Sequence, residues 1–261
     1  MRVEEIQDVR DPRLADYRDL KNGALRAGRD YFIAESRQIV RTLLTDSPFR
    51  ARSVLLSRAA LEDLRDDLGD GVPVYVARED TIRGVVGFDF HRGCLAAGER
   101  PADPPLDALL GARVLLVCER MTNPDNVGAV FRSAMAFGAG GVVLSPGSAD
   151  PLYRKAIRVS MGGTLRVPFA RVDGWAAALA AIRAAGFTIV ALVPDAARDI
   201  AELAADRAPD RVALLVGAEG DGLGPIARAA AHVEVGIRMV PGADSLNVAT
   251  AAAIALHRLG G

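Results

Sequence analysis

From residue 113 onward, fully apolar runs alternate with longer segments in which apolar residues recur at helical spacing. The runs VLLVC (114–118) and VALLV (212–216) are apolar on both faces, as strands must be when helices cover both sides of a sheet. The predicted order is strand 113–118, helix 124–137, strand 141–144, helix 153–161, strand 165–169, helix 175–185, strands 187–193 and 211–216, helix 225–231, strand 232–237 and helix 246–259. This alternation predicts a doubly wound, parallel α/β domain.

The first hundred residues have a shorter, mixed pattern. Helix-like stretches lie near 12–20 and 35–44, and apolar runs occupy 53–57 and 72–76. Three prolines within 101–105 forbid a helix and remove strand donors, which indicates a linker. The sequence therefore predicts a small α/β domain over 1–98, a linker over 99–109 and the parallel domain over 110–261.

Composition narrows the class of protein. Of the 261 residues, 50% are hydrophobic and 25% are charged, so the chain has enough apolar material for a packed core. The net charge is −1, which disfavours a protein that coats nucleic acid by bulk charge. The charged N-terminus and the lack of a long uncharged apolar run disfavour secretion and membrane spanning. Cys94 and Cys118 have neither disulfide-framework nor zinc-site spacing, so we expect buried thiols, no metal and a cytoplasmic protein.

One segment departs from the neutral average. Residues 26–58 contain seven arginines against Asp30, Glu35 and Asp46, a local net charge of +4. Such a stretch suits a track for RNA phosphates, and it equally suits a solvated face with ion pairs.

In open parallel sheets, ligands bind at the carboxyl ends of the strands, so the loops after 113–118, 187–193, 211–216 and 232–237 are the informative ones. The first leads into Asn123-Pro124-Asp-Asn126, where Pro124 suits the first helical position and Asn123 a helix cap. Asn126 then lies in the first turn. Arg132 follows six residues later and need not share its face. The alternative is a capped surface helix with a solvated arginine.

The second loop, Gly217–Gly224, has four glycines in eight residues directly after a buried strand. Glycine lets a backbone approach a ligand closely and present its amides. The loop lacks both G-x-G-x-x-G and a Walker lysine, and Glu219 and Asp221 would oppose a phosphate. A neutral or cationic ligand fits better, and a purely architectural tight turn is the alternative.

The third loop leads into the last helix. Ser245 is a good helix cap, whereas Asn247 in an apolar first turn must find partners or cost about 1–3 kcal/mol. No G-x-S-x-G elbow occurs, and His257 lies too far along the same helix to act as a base for Ser245. A hydrolase is therefore disfavoured.

Together the three loops read N-x-x-N-x-G-A-x-x-R (123–132), G-x-E-G-x-G-L (217–223) and S-L-N-V-A (245–249). In order and spacing they resemble the three motifs of the SpoU (TrmH-like) branch of the SPOUT RNA methyltransferases. The resemblance covers roughly 113–259. It extends more loosely to 30–35 and 91–96, which resemble the family's ribosomal-protein-like substrate-binding domain.

This resemblance implies a parallel-sheet domain whose C-terminal segment threads through a loop as a trefoil knot, preceded by the small α/β substrate-binding domain. It implies a homodimer that transfers a methyl group from S-adenosylmethionine to a ribose 2′-hydroxyl in rRNA or tRNA. A protein of the same fold that only binds RNA, for example in ribosome assembly, is the alternative. A dinucleotide-dependent enzyme is disfavoured because position 237, where an adenosine-ribose carboxylate is expected, is isoleucine.

Site residues carry over position by position. Arg132 matches the motif arginine that helps to activate the hydroxyl. The remaining polar set is Asn126, Glu219, Ser245 and Asn247. The positions that match cofactor contacts are Gly217, Ile237 and Leu246, with Leu192 as a further wall. One departure is Arg238, where the family commonly has proline between isoleucine and methionine; it restores a backbone donor and loosens φ in the cofactor-binding turn.

Overall fold

The computed structural model describes residues 3–18, 20, 29–88, 90, 93–205, 209–240, 242 and 245–259. The chain forms two compact units, Met1–Ala102 with Leu152–Arg166, and Asp103–Pro151 with Val167–Gly261. The division falls within the proline-rich segment. Residues 152–166, which the sequence pattern assigns to the second domain, pack in the first unit.

The first unit is built on a mixed five-stranded sheet in the order β1-β4-β3-β5-β2. Parallel pairing joins β1, β4 and β3, whereas β5 runs antiparallel to both β3 and β2. The elements are β1 (Val3–Ile6), a 3-10 helix (Pro12–Tyr17), β2 (Tyr31–Glu35), α1 (Arg37–Thr45), β3 (Ala51–Leu56), α2 (Arg58–Leu64), a 3-10 turn (Arg65–Asp67), β4 (Val74–Ala77), α3 (Glu79–Val86) and β5 (Cys94–Glu99).

A buried ion pair fixes the returning segment in the first unit. α5 (Arg154–Val159) contacts β2, and Arg154 donates to the Glu35 carboxylate at 3.0 Å. The Arg154 guanidinium also lies 4.5 Å from the centre of the Phe88 ring. Glu35 is 5% exposed, so loss of Arg154 would remove a charged partner from a carboxylate that is shielded from water. The distance in sequence between Glu35 and Arg154 explains why the pattern of neither segment reveals the contact.

The second unit contains a six-stranded, wholly parallel sheet in the order β11-β9-β10-β6-β7-β8, which confirms the predicted α/β class. Its strands are β6 (Val114–Cys118), β7 (Gly141–Leu144), β8 (Phe169–Arg171), β9 (Thr188–Leu192), β10 (Val212–Val216) and β11 (Val233–Val235). Its helices are a 3-10 helix (Leu106–Leu109), α4 (Pro124–Ala136), α6 (Trp175–Ala184), α7 (Ile200–Ala205), α8 (Pro225–Ala230) and α9 (Val248–Leu259).

Three boundaries differ from the sequence prediction. The strand predicted over 165–169 is wrong: Leu165 ends a 3-10 turn (Gly163–Leu165), and β8 begins only after Pro168, which lacks a strand donor. The sequence pattern missed α7, because six residues are too few to show a helical period. The last helix begins at Val248 instead of 246, because Asn247 takes the capping position.

Both cysteines are fully buried and free, as predicted. Burial raises the pKa of each thiol to about 12. Within the described part of the chain, no helix is long and apolar enough to cross a membrane.

Candidate active site

The carboxyl ends of β9, β10 and β11 open into one cleft with the start of α9. The cleft has a volume of about 400 Å³. Its lining residues are Leu192, Val193, Pro194, Val216, Gly217, Ala218, Glu219, Gly220, Gly222, Ile237, Met239, Ser245, Leu246, Asn247, Val248 and Ala251. All four predicted cofactor positions, Leu192, Gly217, Ile237 and Leu246, are therefore among residues that share one cavity.

The glycine loop after β10 is a tight turn that closes on itself. The Gly222 amide donates to the Ala218 carbonyl at 3.0 Å, and Gly220 and Gly222 have φ of 84° and 64°. A Cβ at Gly217 would overlap the Gly222 backbone. The backbone fold itself thus requires glycine at Gly217, and the turn presents one wall of the cleft.

Asn247 joins three parts of the site through one side-chain amide. Its Oδ1 accepts from the amides of Ala249 at 2.9 Å and Thr250 at 3.3 Å, which caps α9. Its Nδ2 donates to Asn126 Oδ1 at 3.0 Å and to Glu219 Oε1 at 2.8 Å. The Asn247 side chain, which the sequence places next to an apolar helix, is therefore hydrogen-bonded to α4 and to the glycine turn.

The remaining predicted polar residues are placed differently. Ser245 lines the cleft but does not cap α9, since Asn247 holds that position. Arg132 is exposed on α4, makes no hydrogen bond or ion pair with a described residue, and does not line the cleft. The buried Asn126 and the exposed Arg132 differ in environment although they share a helix.

The Ile237-Arg238-Met239 segment forms another wall of the cleft. Arg238 has a backbone N–H that a proline at this position would lack, and this N–H has a hydrogen-bond acceptor. The Arg238 amide donates to Asp199 Oδ2 at 3.0 Å, while its guanidinium donates to Glu202 at 3.1 Å. Ile237 and Met239 line the cleft. The hydrogen bond from the Arg238 amide to the Asp199 side chain therefore holds this wall of the cleft in place.

Sequence reasoning missed two acidic residues that hold the walls of the cleft. Glu119, at the end of β6, is 5% exposed and accepts from the Gly224 amide at 2.6 Å, at the end of the glycine loop. Asp199 accepts from Arg238, as described above. Neither has a local signal, because each partner lies far along the chain. The unusual residue at 238 was the one hint that its amide needed an acceptor.

The predicted basic stretch carries many ion pairs. Arg37, Arg41, Arg52 and Arg58 pair with Asp63, Asp67, Asp30 and Glu5 respectively. The guanidinium of Arg29 lies 5.2 Å from the Tyr31 ring centre, and that of Arg50 makes no ion pair with a described residue. Arg26, like His91 and Arg92 of the looser resemblance, lies outside the described residues.

Known proteins resemble both the sequence and this architecture. The model of the SpoU rRNA Methylase family matches residues 113–257. An uncharacterized tRNA/rRNA methyltransferase of Mycobacterium tuberculosis is 41% identical over 98% of this chain and 91% of its own length. The 23S rRNA (guanosine(2553)-2′-O)-methyltransferase RlmP of Bacillus subtilis is 25% identical over 99% of this chain and all of its own.

A solved structure extends the likeness to three dimensions. The AdoMet-bound rRNA methyltransferase from Sinorhizobium meliloti has a TM-score of 0.84 and 25% identity, covering 98% of this chain and 97% of that one. The family match spans more than half of this sequence, from β6 to the last turn of α9. On these matches and on the motifs gathered around the cleft, the chain belongs to the SpoU rRNA methylase family.

Proposed function

We propose that this protein transfers a methyl group from S-adenosylmethionine to a ribose 2′-hydroxyl of rRNA or tRNA, and that the cleft of the second unit holds the cofactor. One observation carries the proposal: the glycine turn, the Ile237 wall and the Asn247 cap, which lie far apart in sequence, border a single cleft. The family membership and the 2′-O-methyltransferase names of relatives support the reaction.

The cleft fits a cationic ligand better than an anionic one. Among the described residues that line it, Glu219 is the one charged side chain. A dinucleotide would bring its pyrophosphate towards this carboxylate, whereas a sulfonium carries the complementary charge. The volume of about 400 Å³ lies within the range of roughly 300–1,000 Å³ that small-molecule sites occupy. The charge of the residues that line the cleft therefore suits S-adenosylmethionine and disfavours a dinucleotide.

When bound, S-adenosylmethionine supplies a methyl group already activated by its positive sulfur, so the protein must chiefly align the reactants and stabilise the developing alkoxide. Asn247 fixes the glycine turn and α4 relative to each other through its hydrogen bonds to Glu219 and Asn126. Arg132, exposed and without a protein partner among the described residues, is available as a fixed cation for the alkoxide or for an RNA phosphate. A permanently protonated guanidinium stabilises charge and does not serve as the general base.

The knot and the dimer belong to the same proposal. α9 follows β11 at the edge of the sheet, yet it contacts α4 and β10 near the middle, as a threaded C-terminal segment would. We expect a homodimer, a cytoplasmic location and RNA recognition by the first unit. Sedimentation of the purified protein tests the dimer, and a crystal structure with traced connections between β10 and α9 tests the knot.

Two measurements test the function together. Calorimetry with S-adenosylmethionine and, separately, with NAD tests the cleft, and we expect binding of the first alone. Mapping of 2′-O-methyl sites in total RNA, with and without the gene, tests the reaction, and we expect one site to disappear and to return with the wild-type gene. Cofactor binding with an unchanged methylation map would favour the RNA-binding alternative. Binding of NAD alone would overturn the proposal.

A further inference from the structure

The wall of the cleft formed by Ile237 and Met239 follows a very short edge strand. β11 has three residues, Val233–Val235, and among the strands that the structure describes it pairs with β9. On its other side the chain at Asp199 forms a single parallel bridge with Gly236, with hydrogen bonds of 2.8 Å on each side of it. Beyond Gly236, this wall leaves the sheet and depends on other contacts for its position.

Asp199 supplies the contact where the strand ends. Its Oδ2 accepts from the Arg238 amide at 3.0 Å and lies 3.7 Å from the Arg238 Nε. Its Oδ1 accepts from the Ala201 amide at 2.7 Å and so caps the start of α7. The Asp199 side chain is 13% exposed, whereas that of Arg238 is 77% exposed. Each carboxylate oxygen therefore has a separate backbone partner, one on α7 and one on the cleft wall.

The two residues that flank Arg238 line the cleft, and Arg238 itself does not. A hydrogen bond to the amide between them restrains both neighbours, because it fixes the backbone from which their side chains extend. Proline would restrict this position through its ring, whereas arginine has no such restriction and retains an amide that needs an acceptor. The Asp199 carboxylate provides both the restraint and the acceptor.

We propose that Asp199 is a positioning residue for S-adenosylmethionine: its Oδ2 holds the Arg238 amide and so sets the Ile237–Met239 wall against the cofactor. The inference rests on the proposed function of the cleft. Asp199 acts through the backbone of Arg238 and does not line the cleft. Loss of this hydrogen bond weakens cofactor binding by leaving the wall in several conformations, without altering the groups at the reacting atoms.

Asp199→Asn separates the two roles of the carboxylate. Asparagine caps helices about as well as aspartate, so its single oxygen keeps the Ala201 bond while its NH₂ group faces the Arg238 amide and cannot accept from it. We expect the Kd for S-adenosylmethionine and its KM to rise about tenfold, or about 1.4 kcal/mol, with kcat at saturating cofactor within about twofold of wild type. Glu202→Gln, which changes only the exposed partner of the Arg238 side chain, is the matched control and leaves the Kd unchanged.

A double-mutant cycle identifies the hydrogen bond itself. Arg238→Pro removes the amide proton, so Asp199→Asn in that background changes the Kd by less than about twofold if the proposal holds. Hydrogen exchange of the cofactor-free protein gives an independent reading. We expect the Arg238 amide to exchange faster in Asp199→Asn while the first turn of α7 keeps its protection.

The outcomes separate this inference from the proposed function. If the wild-type protein binds no S-adenosylmethionine, the proposed function fails. If the wild type binds and Asp199→Asn binds equally well, or if Asp199→Asn weakens binding as strongly in the Arg238→Pro background, the inference fails and the function stands. A loss of α7 protection with an unchanged exchange rate at Arg238 would make Asp199 a structural cap alone.

Discussion

At the scale of single residues, one amide side chain organises the candidate site. Asn247 uses its oxygen to cap α9 and its nitrogen to join Asn126 and Glu219. Aspartate would preserve the cap but would replace the nitrogen donor with an oxygen. Position 247 therefore has two requirements. Many residues can cap α9 from this position, but only a side-chain amide can also donate a hydrogen bond to Asn126 and Glu219.

Asn247→Asp tests this second requirement. Two carboxylates would then face each other where Asn247 Nδ2 and Glu219 Oε1 now lie 2.8 Å apart, and their repulsion would push the first turn of α9 away from the glycine turn. We expect calorimetry at pH 8 to show S-adenosylmethionine binding at least about tenfold weaker, or about 1.4 kcal/mol. Asn247→Ala loses both roles and is the comparison variant. Wild-type affinity of Asn247→Asp at pH 8 would contradict the role of the Asn247 amide nitrogen.

Arg132 is the second residue whose role can be isolated. Because it is exposed and does not line the cleft, Arg132→Ala should leave cofactor affinity near wild type. We expect methyl transfer to fall at least about tenfold, a loss of roughly 1.4 kcal/mol in the barrier, measured with labelled cofactor and RNA. Arg183→Ala, at another exposed arginine on α6, is the control. Unchanged turnover in Arg132→Ala would remove Arg132 from the mechanism.

Residue chemistry also limits what sequence can predict. Ser245 and Asn247 are both good caps, and only the start of α9 at Val248 and the bonds from the Ala249 and Thr250 amides identify Asn247 as the cap. Glu119 and Asp199 accept from amides at Gly224 and Arg238, far along the chain, so local patterns do not identify either acceptor. The second and third motifs predicted two of the segments that line the cleft, whereas the first motif meets them through the hydrogen bond between Asn126 and Asn247. The side chains that brace the cleft could be identified only in the structure.

At the scale of elements, the apolar strands were the most predictable part of the fold. VLLVC and VALLV form β6 and β10, paired in parallel in the interior of the sheet. Their length and double-sided hydrophobicity leave no alternative to burial. Short elements such as α7 and β8 have too few residues to show a hydrophobic period. Asp199 caps the start of α7, and β8 begins directly after Pro168.

Burial of strands β5 and β6 makes a prediction about their thiols. The pKa of both Cys94 and Cys118 is raised to about 12, so at pH 8 only about one thiol in 10⁴ is ionised. We expect iodoacetamide to label neither cysteine in the native protein at pH 8 and both in denaturant, as measured by intact mass. Rapid labelling of the folded protein would contradict the burial, and Cys94→Ala with Cys118→Ala supplies the unlabelled control.

The same shift predicts alkaline destabilisation. A thiol with a raised pKa in the folded state ionises first in the unfolded state, so stability present below about pH 8.5 is lost as pH rises towards 12. Each buried thiol contributes at most about 1.4 kcal/mol per pH unit in this window. Urea unfolding of wild type at pH 8 and pH 10 measures the loss, and Cys118→Ala should lose less. Equal losses in both proteins would contradict the assignment to Cys118.

At the scale of the whole molecule, the chain enters the first unit twice. Residues 152–166 return to it and place α5 against β2, where Arg154 meets Glu35. Ser47 Oγ donates to the Leu165 carbonyl at 2.9 Å, and Arg166 pairs with Asp46. The sequence pattern assigned this segment to the second domain because the chain is contiguous there, and only tertiary contacts assign it to the first unit.

This discontinuity makes the first unit incomplete without its returning segment. A fragment of residues 1–102 would leave Glu35 without Arg154 and the α5-facing side of β2 exposed, so we expect it to be less stable alone than with a peptide of residues 152–166. A ligand that binds only the folded state at a hundredfold excess over its Kd stabilises that state by about 2.7 kcal/mol, which urea unfolding resolves readily. The same peptide with Arg154→Ala is the matched control and should stabilise the fragment far less. Equal stabilisation by both peptides would show that the ion pair does not hold α5 in place, and no stabilisation by either would contradict the requirement for the returning segment.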